Sequence, residues 1–414
     1  MSDYTDSVVP AIANVVIGIG AETTPGTAVD PTQWFSNLVS ENIDCGPEYE
    51  AINSIVGGKA RAAKQFFVAR NRINANWSFH PRTDELEMIL ERAMGRDRIT
   101  IAELISYNAD DFGDLESLTL KLKIDSGSED TVTFAAEDNT TAEAVSTINT
   151  ELTGKATASA CSQGGRSHIK IVSDSDGADS KLEITAGTAN TALGFVEGDT
   201  SQYGDIPQGS SVTPITLEAL KVHEVLLLAG VEVDVLTLSS RSGEPLLVTV
   251  EAYGRSYTPA AAATATNPTW STAAILRHAD VALALASGGD TYAASAVEIR
   301  IENNREADER QNSVDRHNIP WGERTVTGSL EVGWDTETKT EFVDKWRAGD
   351  ASKLVASWTR AGVGLQVTLG QISYTGETPQ ASGRGPWRFE MPFRADASAI
   401  GRTDDILMNL DLTA

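Results

Sequence analysis

Cysteine and histidine are scarce in this sequence, and the few that occur are scattered. The 414 residues include 2 cysteines, Cys45 and Cys161, whose wide separation gives no basis for a structural disulfide or a zinc site. The 5 histidines show no metal-ligand spacing, and no Gly-x-Ser-x-Gly nucleophile motif occurs. We therefore expect no cofactor and no enzymatic activity. A carboxylate pair assembled in space, as in a glycosidase, is the enzymatic alternative.

Long hydrophobic runs are also missing. No stretch approaches the roughly 18 apolar residues that a transmembrane helix needs. Residues 1–6 have neither a basic region nor an apolar core of signal-peptide length. We therefore expect a protein with no membrane contact that is made in the cytoplasm.

Basic residues are outnumbered by acidic ones. The chain has 33 Lys and Arg against 59 Asp and Glu, a net charge of −26. Such a surface repels phosphate backbones, which excludes an ordinary nucleic-acid binder. Gly18 and Gly20 do not form a dinucleotide-binding motif, because a third Gly at the required offset and a following helix pattern are both missing.

Two runs of the sequence alternate apolar and polar residues, which predicts half-buried β-strands. They cover residues 297–301 and 326–334 and are joined by residues 305–323, a connection rich in Asp, Glu and Arg. Because this connection is long and polar, we expect it to reach a neighbouring molecule. A second long connection, containing several Gly, is predicted at residues 46–64.

A strand-helix-strand order occurs twice. Residues 76–79 lead through a cap to a helix that ends at Gly95, and residues 331–334 lead to a helix that ends at Gly349. The same order in both places predicts an internal duplication.

The duplication divides the chain into domains. Residues 1–112 and 213–260 form a first, discontinuous β domain, and residues 270–414 form a second. Residues 261–269, composed of Pro, Ala, Thr and Asn, form a linker, and residues 113–212 form a small inserted β-rich domain. We predict a mainly β, α+β fold with two tandem β-sandwich or half-barrel units, each with one flanking helix, plus the inserted domain.

These features resemble the tail tube proteins of long-tailed, siphovirus-like phages and of related archaeal tailed viruses. The resemblance rests on residues 22–28, residues 299–304, residues 324–330 and the strand-helix-strand order of both halves. It covers everything outside residues 113–212.

The resemblance implies a structural virion protein whose inner strands join those of neighbouring copies into a barrel. Rings stack into a tube that carries viral DNA as non-specific cargo into the host cell. A duplicated chain implies a trimeric ring with pseudo-six-fold symmetry, and a hexamer is the alternative. The implied partners are the tape-measure, terminator and baseplate proteins, and the implied location is the virion tail, assembled in host cytoplasm. The residues expected to contact neighbours lie in the two long connections: Glu48, Tyr49, Ile52, Arg305, Arg310 and Arg316.

An acidic tube wall would repel passing DNA. The candidates for this wall are polar members of the alternating strands, namely Glu232, Asp234, Glu298 and Glu302. The alternative is that these side chains face solvent outside the tube, because period-two alternation defines two faces without saying which is inside.

The inserted domain is expected to project from the exterior of the tube. Within it, Asp174, Asp176 and Asp179 surround Gly177 and suggest a weak Ca²⁺ candidate. The spacing departs from an EF-hand loop, and a solvated turn is the alternative.

Two other classes of protein are alternatives, the first because it would share the fold and the second because it would share the composition. A tail terminator or baseplate component would form one ring without stacking. A surface or adhesin-like stacked β-protein would also be acidic and poor in cysteine, but it should carry a signal peptide.

Overall fold

The computed structural model describes residues 15–52, 65–163, 165–209, 212–221, 224–260, 270–285, 290–310, 313–376, 388–396 and 406–411. These residues form a mainly β protein, which confirms the predicted fold class. The reason is visible along the strands, where buried apolar side chains alternate with more exposed polar ones.

The first half of the chain opens with a long hairpin and a short helix. Its elements are β1 (Val16–Ala21), β2 (Gln33–Trp34), β3 (Leu38–Ile52), β4 (Gln65–Phe79) and α1 (Glu87–Met94). Gly18 lies against the Trp34 ring, since a Cβ added there would come within 2.7 Å of Trp34 Cε3. Close packing, and not phosphate binding, therefore explains this glycine.

The prediction of a connection over residues 46–64 is wrong for its first part. Gly46 and Pro47 look like a turn in the sequence, but they pair with Arg72 and Asn71 of β4. The strand continues to Ile52, so the hairpin consists of two strands of 15 residues each. Residues 53–64 lie outside the described residues.

A small unit follows, with a hydrophobic cluster of its own that runs from Ala102 to Phe195. Its elements are β5 (Glu103–Ala109), β6 (Thr119–Ile124), β7 (Glu129–Thr133), α2 (Thr141–Glu151), β8 (Ala156–Gln163), β9 (Arg166–Ser173), β10 (Lys181–Ile184), α3 (Asn190–Leu193) and β11 (Thr200–Gln202). Because β5 pairs with β9, the strand belongs to this unit, although it precedes the predicted boundary at residue 113. A capping box of Thr140 and Glu143 begins α2.

The chain then returns to the first half. The returning strands are β12 (Asp205–Ile206), β13 (Ile215–Lys221), β14 (Glu224–Arg241), β15 (Leu247–Tyr253) and β16 (Ser256–Ala260). The first part of β14 pairs with β13 and β16, and its later part pairs with β15. The single strand β14 therefore belongs to two sheet regions.

The second half has a similar order of strands and one helical region. Its elements are β17 (Val281–Leu285), β18 (Asp290–Thr291), β19 (Ala294–Glu302), β20 (Thr325–Gly333), α4 (Thr336–Thr338), a π-helical turn (Lys339–Asp344), α5 (Lys345–Ala348), β21 (Ser352–Arg360), β22 (Val363–Tyr374), β23 (Arg388–Ala395) and β24 (Leu407–Asp411). Asp335 caps the helix, and its side chain accepts a hydrogen bond from the backbone N–H of Thr338. The last strand, β24, pairs with β22.

One continuous set of antiparallel pairings joins the halves. In the first half the hydrogen-bonded order is β3, β4, β15, β14. In the second half it is β19, β20, β23, β22. The two orders match strand for strand, with β3 equivalent to β19 and β14 equivalent to β22.

The two halves also share one hydrophobic core. It contains the largest fully buried side chains of both halves, among them Trp77 and Trp358, each 0% exposed. A core of this size sets the relative position of the two sheets and hence the geometry of the joint between them.

Candidate assembly surface

The main joint between the halves is an antiparallel pairing of β14 with β19, and a short pairing of β12 with β24 also connects them. The register of the main joint runs from Val235 opposite Glu302 to Arg241 opposite Ala296. On one face of this joint the side chains of Leu236, Ile299 and Ile301 are buried in the core. In sheet order, the last strand of the first half, β14, thus pairs with the first strand of the second half, β19.

The other face of the joint is polar and carries charges of both signs. Arg300 Nε lies 2.6 Å from Glu302 Oε1, and Arg300 Nη1 lies 3.9 Å from Glu251 Oε1. On the neighbouring strands, Arg388 Nη1 is 3.8 Å from Glu331 Oε1. Several carboxylates of this face therefore have an arginine close by.

The four candidate wall residues separate into two groups. Glu298 is exposed and Glu302 is partly exposed on the polar face of β19. Glu232 and Asp234 lie beside the register shift of β14, where they contact Arg305 instead of projecting freely. In the described chain both carboxylates are therefore engaged by Arg305, because the shift breaks the simple alternation of faces.

Arg305 carries the main buried charge of the connection between β19 and β20. Its side chain is 0% exposed, and its Nη2 lies 2.9 Å from Glu232 Oε2. Its backbone N–H donates to Asp234 Oδ1 at 2.8 Å, and its Nε donates to Val233 O at 2.9 Å. The guanidinium also stacks on Trp321, 3.5 Å from the ring centroid.

Burial shifts the pKa of both partners, Glu232 and Arg305, toward the neutral form. It raises the pKa of Glu232 to about 7, and the charge of Arg305 opposes that rise. Burial likewise lowers the pKa of Arg305 to about 10, against the pull of Glu232 and Asp234. The pKa of Asp234 is also raised by burial. Each partner therefore depends on the other to stay charged in the interior.

Two further arginines fasten the same connection to the first half. Arg316 Nη1 donates to Ile73 O at 2.7 Å and to Gly254 O at 3.2 Å. Arg324 Nη2 donates to Met94 O at the end of α1, at 2.9 Å. Arg305 and Arg316, which were expected to contact a neighbouring subunit, thus both bind the first half of their own chain.

The remaining arm candidates point to solvent or lie at the hairpin end. Arg310 is exposed and pairs with Asp308 at 2.8 Å. Glu48 pairs with Arg70 at 2.7 Å, and this arginine holds the pKa of the Glu48 carboxyl below its usual range. Tyr49 is 62% exposed, and Ile52 ends β3.

The outer edge of β3 is open along the described chain, where β4 is its one strand partner. Ile73 O accepts hydrogen bonds from Gly254 and Arg316, so the backbone of Ile73 points away from β3. Its partner Cys45 must then direct its own N–H and C=O outward, as members of a non-hydrogen-bonded antiparallel pair do. The N–H of Ile43, two residues earlier, donates to Glu41 Oε2 at 3.3 Å. An unpaired strand edge of this kind is a template for another strand.

The calcium candidate is not supported by the geometry. Asp174, Asp176 and Asp179 are exposed, and Asp174 Oδ1 accepts a hydrogen bond from Thr157 at 2.8 Å. Within the described ranges, no group of three or more His, Cys, Asp or Glu side chains is arranged to hold a metal ion. The three carboxylates therefore lie on an exposed turn.

Three residues of the joint were missed from the sequence: Asn303, Trp321 and Arg324. Asn303 Nδ2 donates to Ala93 O and Val233 O, each at 3.1 Å, and its Oδ1 accepts from Arg324 Nε. A tryptophan inside an otherwise polar connection was the signal that could have indicated docking.

No helix in the described residues is long and apolar enough to span a membrane.

Comparison with known proteins identifies the class. A chain of continuous antiparallel sheet with an open edge strand fits a structural β-protein. The model of the family described as phage tail tube protein matches residues 12–395, nearly the whole chain. The chain belongs to this family, whose members are components of the virion tail that assemble into a tube.

Other comparisons add little. No curated protein matches the chain by sequence. Among solved structures, it is similar to the D1-D2-D3 domains of the flagellar cap protein FliD from Escherichia coli, with 10% identity and a TM-score of 0.22. That match covers 40% of this chain and 48% of the other, so the chain spans about half of that structure. A likeness this distant carries no argument.

Proposed function

We propose that three copies of this chain close into a ring with pseudo-six-fold symmetry, and that rings stack into a siphovirus-like tail tube. The observation that supports this proposal is the β14–β19 joint. In the second half, β22 takes the place of β14, and in the first half β3 takes the place of β19. If the sheet edge at β22 of one copy pairs with β3 of the next copy, the β14–β19 arrangement repeats around the ring. Six equivalent halves then come from three chains.

The lumen of this ring would be lined by the polar face of the joint. On β19, Glu298 and Glu302 outnumber Arg300, which favours a mildly acidic wall. Such a wall repels phosphates at short range, while Thr237, Ser239 and other small polar side chains offer passing DNA no specific contacts. Viral DNA is therefore non-specific cargo in transit to the host cell.

The small unit would be an insertion that projects from the exterior of the tube. Its own hydrophobic cluster and its separate sheets support a boundary near residues 102 and 202. Tape-measure, terminator and baseplate proteins would be the other partners, with assembly in host cytoplasm. Membership of a structural family supports a non-enzymatic role.

Electron microscopy of the concentrated, purified protein tests this proposal. We expect hollow stacked rings, and class averages down the tube axis should show three outer projections from the small units. Six projections per ring would indicate a hexamer instead. Lone rings that never stack would indicate a terminator or baseplate component, and persistent monomers would favour the adhesin-like alternative.

Thiol labelling gives a second test without any substitution. Cys45 lies on the open edge of β3, whereas Cys161 lies in the small unit, and burial raises the pKa of both thiols. On assembly, we expect the labelling rate of Cys45 to fall by about tenfold or more, because a strand covers it. The rate for Cys161 should not change, and equal protection of both thiols would argue against pairing at β3.

A further inference from the structure

The connection between β19 and β20 docks in a pocket-like surface on the first half that includes the end of α1. Helix α1 ends at Gly95, which has a left-handed conformation with φ 78°. A Cβ added there would collide with Gly209 O and come within 2.8 Å of Trp321 Cη2. The helix end is therefore covered by the docked connection.

The equivalent helix end in the second half is open. Helix α5 ends at Gly349, with a closely similar φ of 74°. A Cβ added at Gly349 would meet nothing within 4 Å among the described residues. Arg347, Ala348 and Asp350 beside it are exposed. Among the residues that the structure describes, the second half thus has the counterpart of the docking surface without a docked segment.

The counterpart of the docked segment is found in the first half. The β19–β20 connection corresponds to the outer end of the β3–β4 hairpin, since both join the first two strands of their sheets. Large apolar side chains crowd this end: Tyr49 is 62% exposed, Phe66 66%, Phe67 44% and Val68 36%. Aromatic side chains clustered in water mark a contact surface.

We propose that the outer end of the β3–β4 hairpin of one copy packs on the surface around Gly349 of the neighbouring copy. This contact rests on the proposed ring and adds a second point of attachment to each joint. The occupant is a second copy of this chain, because the arrangement continues an interface already present within the chain. In a ring, the hairpin end of one copy would cover the surface around Gly349 of its neighbour. In a monomer, both remain exposed to water.

Site-specific photo-crosslinking tests this contact. A benzophenone amino acid would replace Tyr49, and in a matched control it would replace Tyr107 of the small unit, which is equally exposed at 61%. In assembled protein, we expect Tyr49→benzoylphenylalanine to form crosslinks between chains, with peptide mapping that places them near residues 345–351. The Tyr107 variant should give no crosslink to that region.

Each outcome decides between the two proposals. Rings with Tyr49 crosslinks that map elsewhere would overturn the hairpin contact and leave the ring intact. A protein that never forms rings would overturn both.

As a second variant, the substitutions Tyr49→Ser, Phe66→Ser and Phe67→Ser together should raise the protein concentration that assembly requires by about tenfold or more. Tyr107→Ser should not, and an unchanged concentration in the triple variant would also reject the contact.

Discussion

Replacing Cys45 by proline is expected to weaken ring assembly while the single chain stays folded. The N–H of Cys45 points away from β4, so its loss breaks no pairing in the described chain. Proline is tolerated at such edge positions but cannot donate to a new strand partner. A lost backbone hydrogen bond is worth about 1 kcal/mol, and each ring has several joints, so the assembly concentration should rise at least about tenfold.

Cys45→Ala is the matched control, because it removes the same thiol and keeps the N–H. Sedimentation velocity over a concentration series measures assembly, and circular dichroism checks the fold. We expect Cys45→Ala to assemble like the unmodified protein. If Cys45→Pro folds and assembles equally well, β3 does not pair across the ring, and the proposed joint must be abandoned.

Replacing Arg305 by methionine is expected to be the most destabilising change in the connection between β19 and β20. The substitution leaves Glu232 with its side chain 13% exposed and its cation removed. Stranding a buried charge costs about 3–5 kcal/mol of unfolding free energy. Urea unfolding at pH 8 measures the loss.

The loss should depend on pH in a definite direction. Burial already raises the pKa of Glu232 to about 7, above the ordinary 4.5, and removal of Arg305 raises that pKa further. The folded variant then binds more protons than the unfolded chain between these values, so its stability falls as pH rises through this range. At pH 5 the carboxyl is neutral, and the cost should shrink to about 1–2 kcal/mol.

Two variants test this explanation. Arg310→Met removes an exposed arginine paired with Asp308 and should cost at most about 1 kcal/mol. Adding Glu232→Gln to Arg305→Met should recover part of the stability at pH 8 and flatten its pH dependence. A pH-independent loss in Arg305→Met would mean that packing against Trp321, and not the stranded carboxylate, stabilises the connection.

Much of the local structure could be predicted from short-range patterns. Alternation in residues 297–301 and 326–334 predicts β19 and β20, because one face of a half-buried strand must be apolar. Thr140, and either Asp335 or Thr336, predict helix starts from their residue type. The caps are Thr140 and Asp335, whose side chains satisfy free backbone N–H groups. The family resemblance, which rests on the order of these elements, is confirmed by the family match.

Short-range patterns failed where a distant partner decides the outcome. Gly46 and Pro47 are strand residues only because β4 lies beside them. Glu232 follows the alternation of its strand, yet the register shift between β14 and β15 and the arrival of Arg305 from more than 70 residues away along the sequence take its carboxylate into the interior.

The sequence by itself determined the mainly β class, the helix starts and the order of elements in each half, because these depend on side chains a few residues apart. Tertiary structure alone decided that β14 pairs with β19, that the connection after β19 docks on the first half, and that the edge of β3 is left open by the described part of the chain. Strand alternation defines two faces but names no neighbour, and the neighbour is chosen by packing across the whole chain.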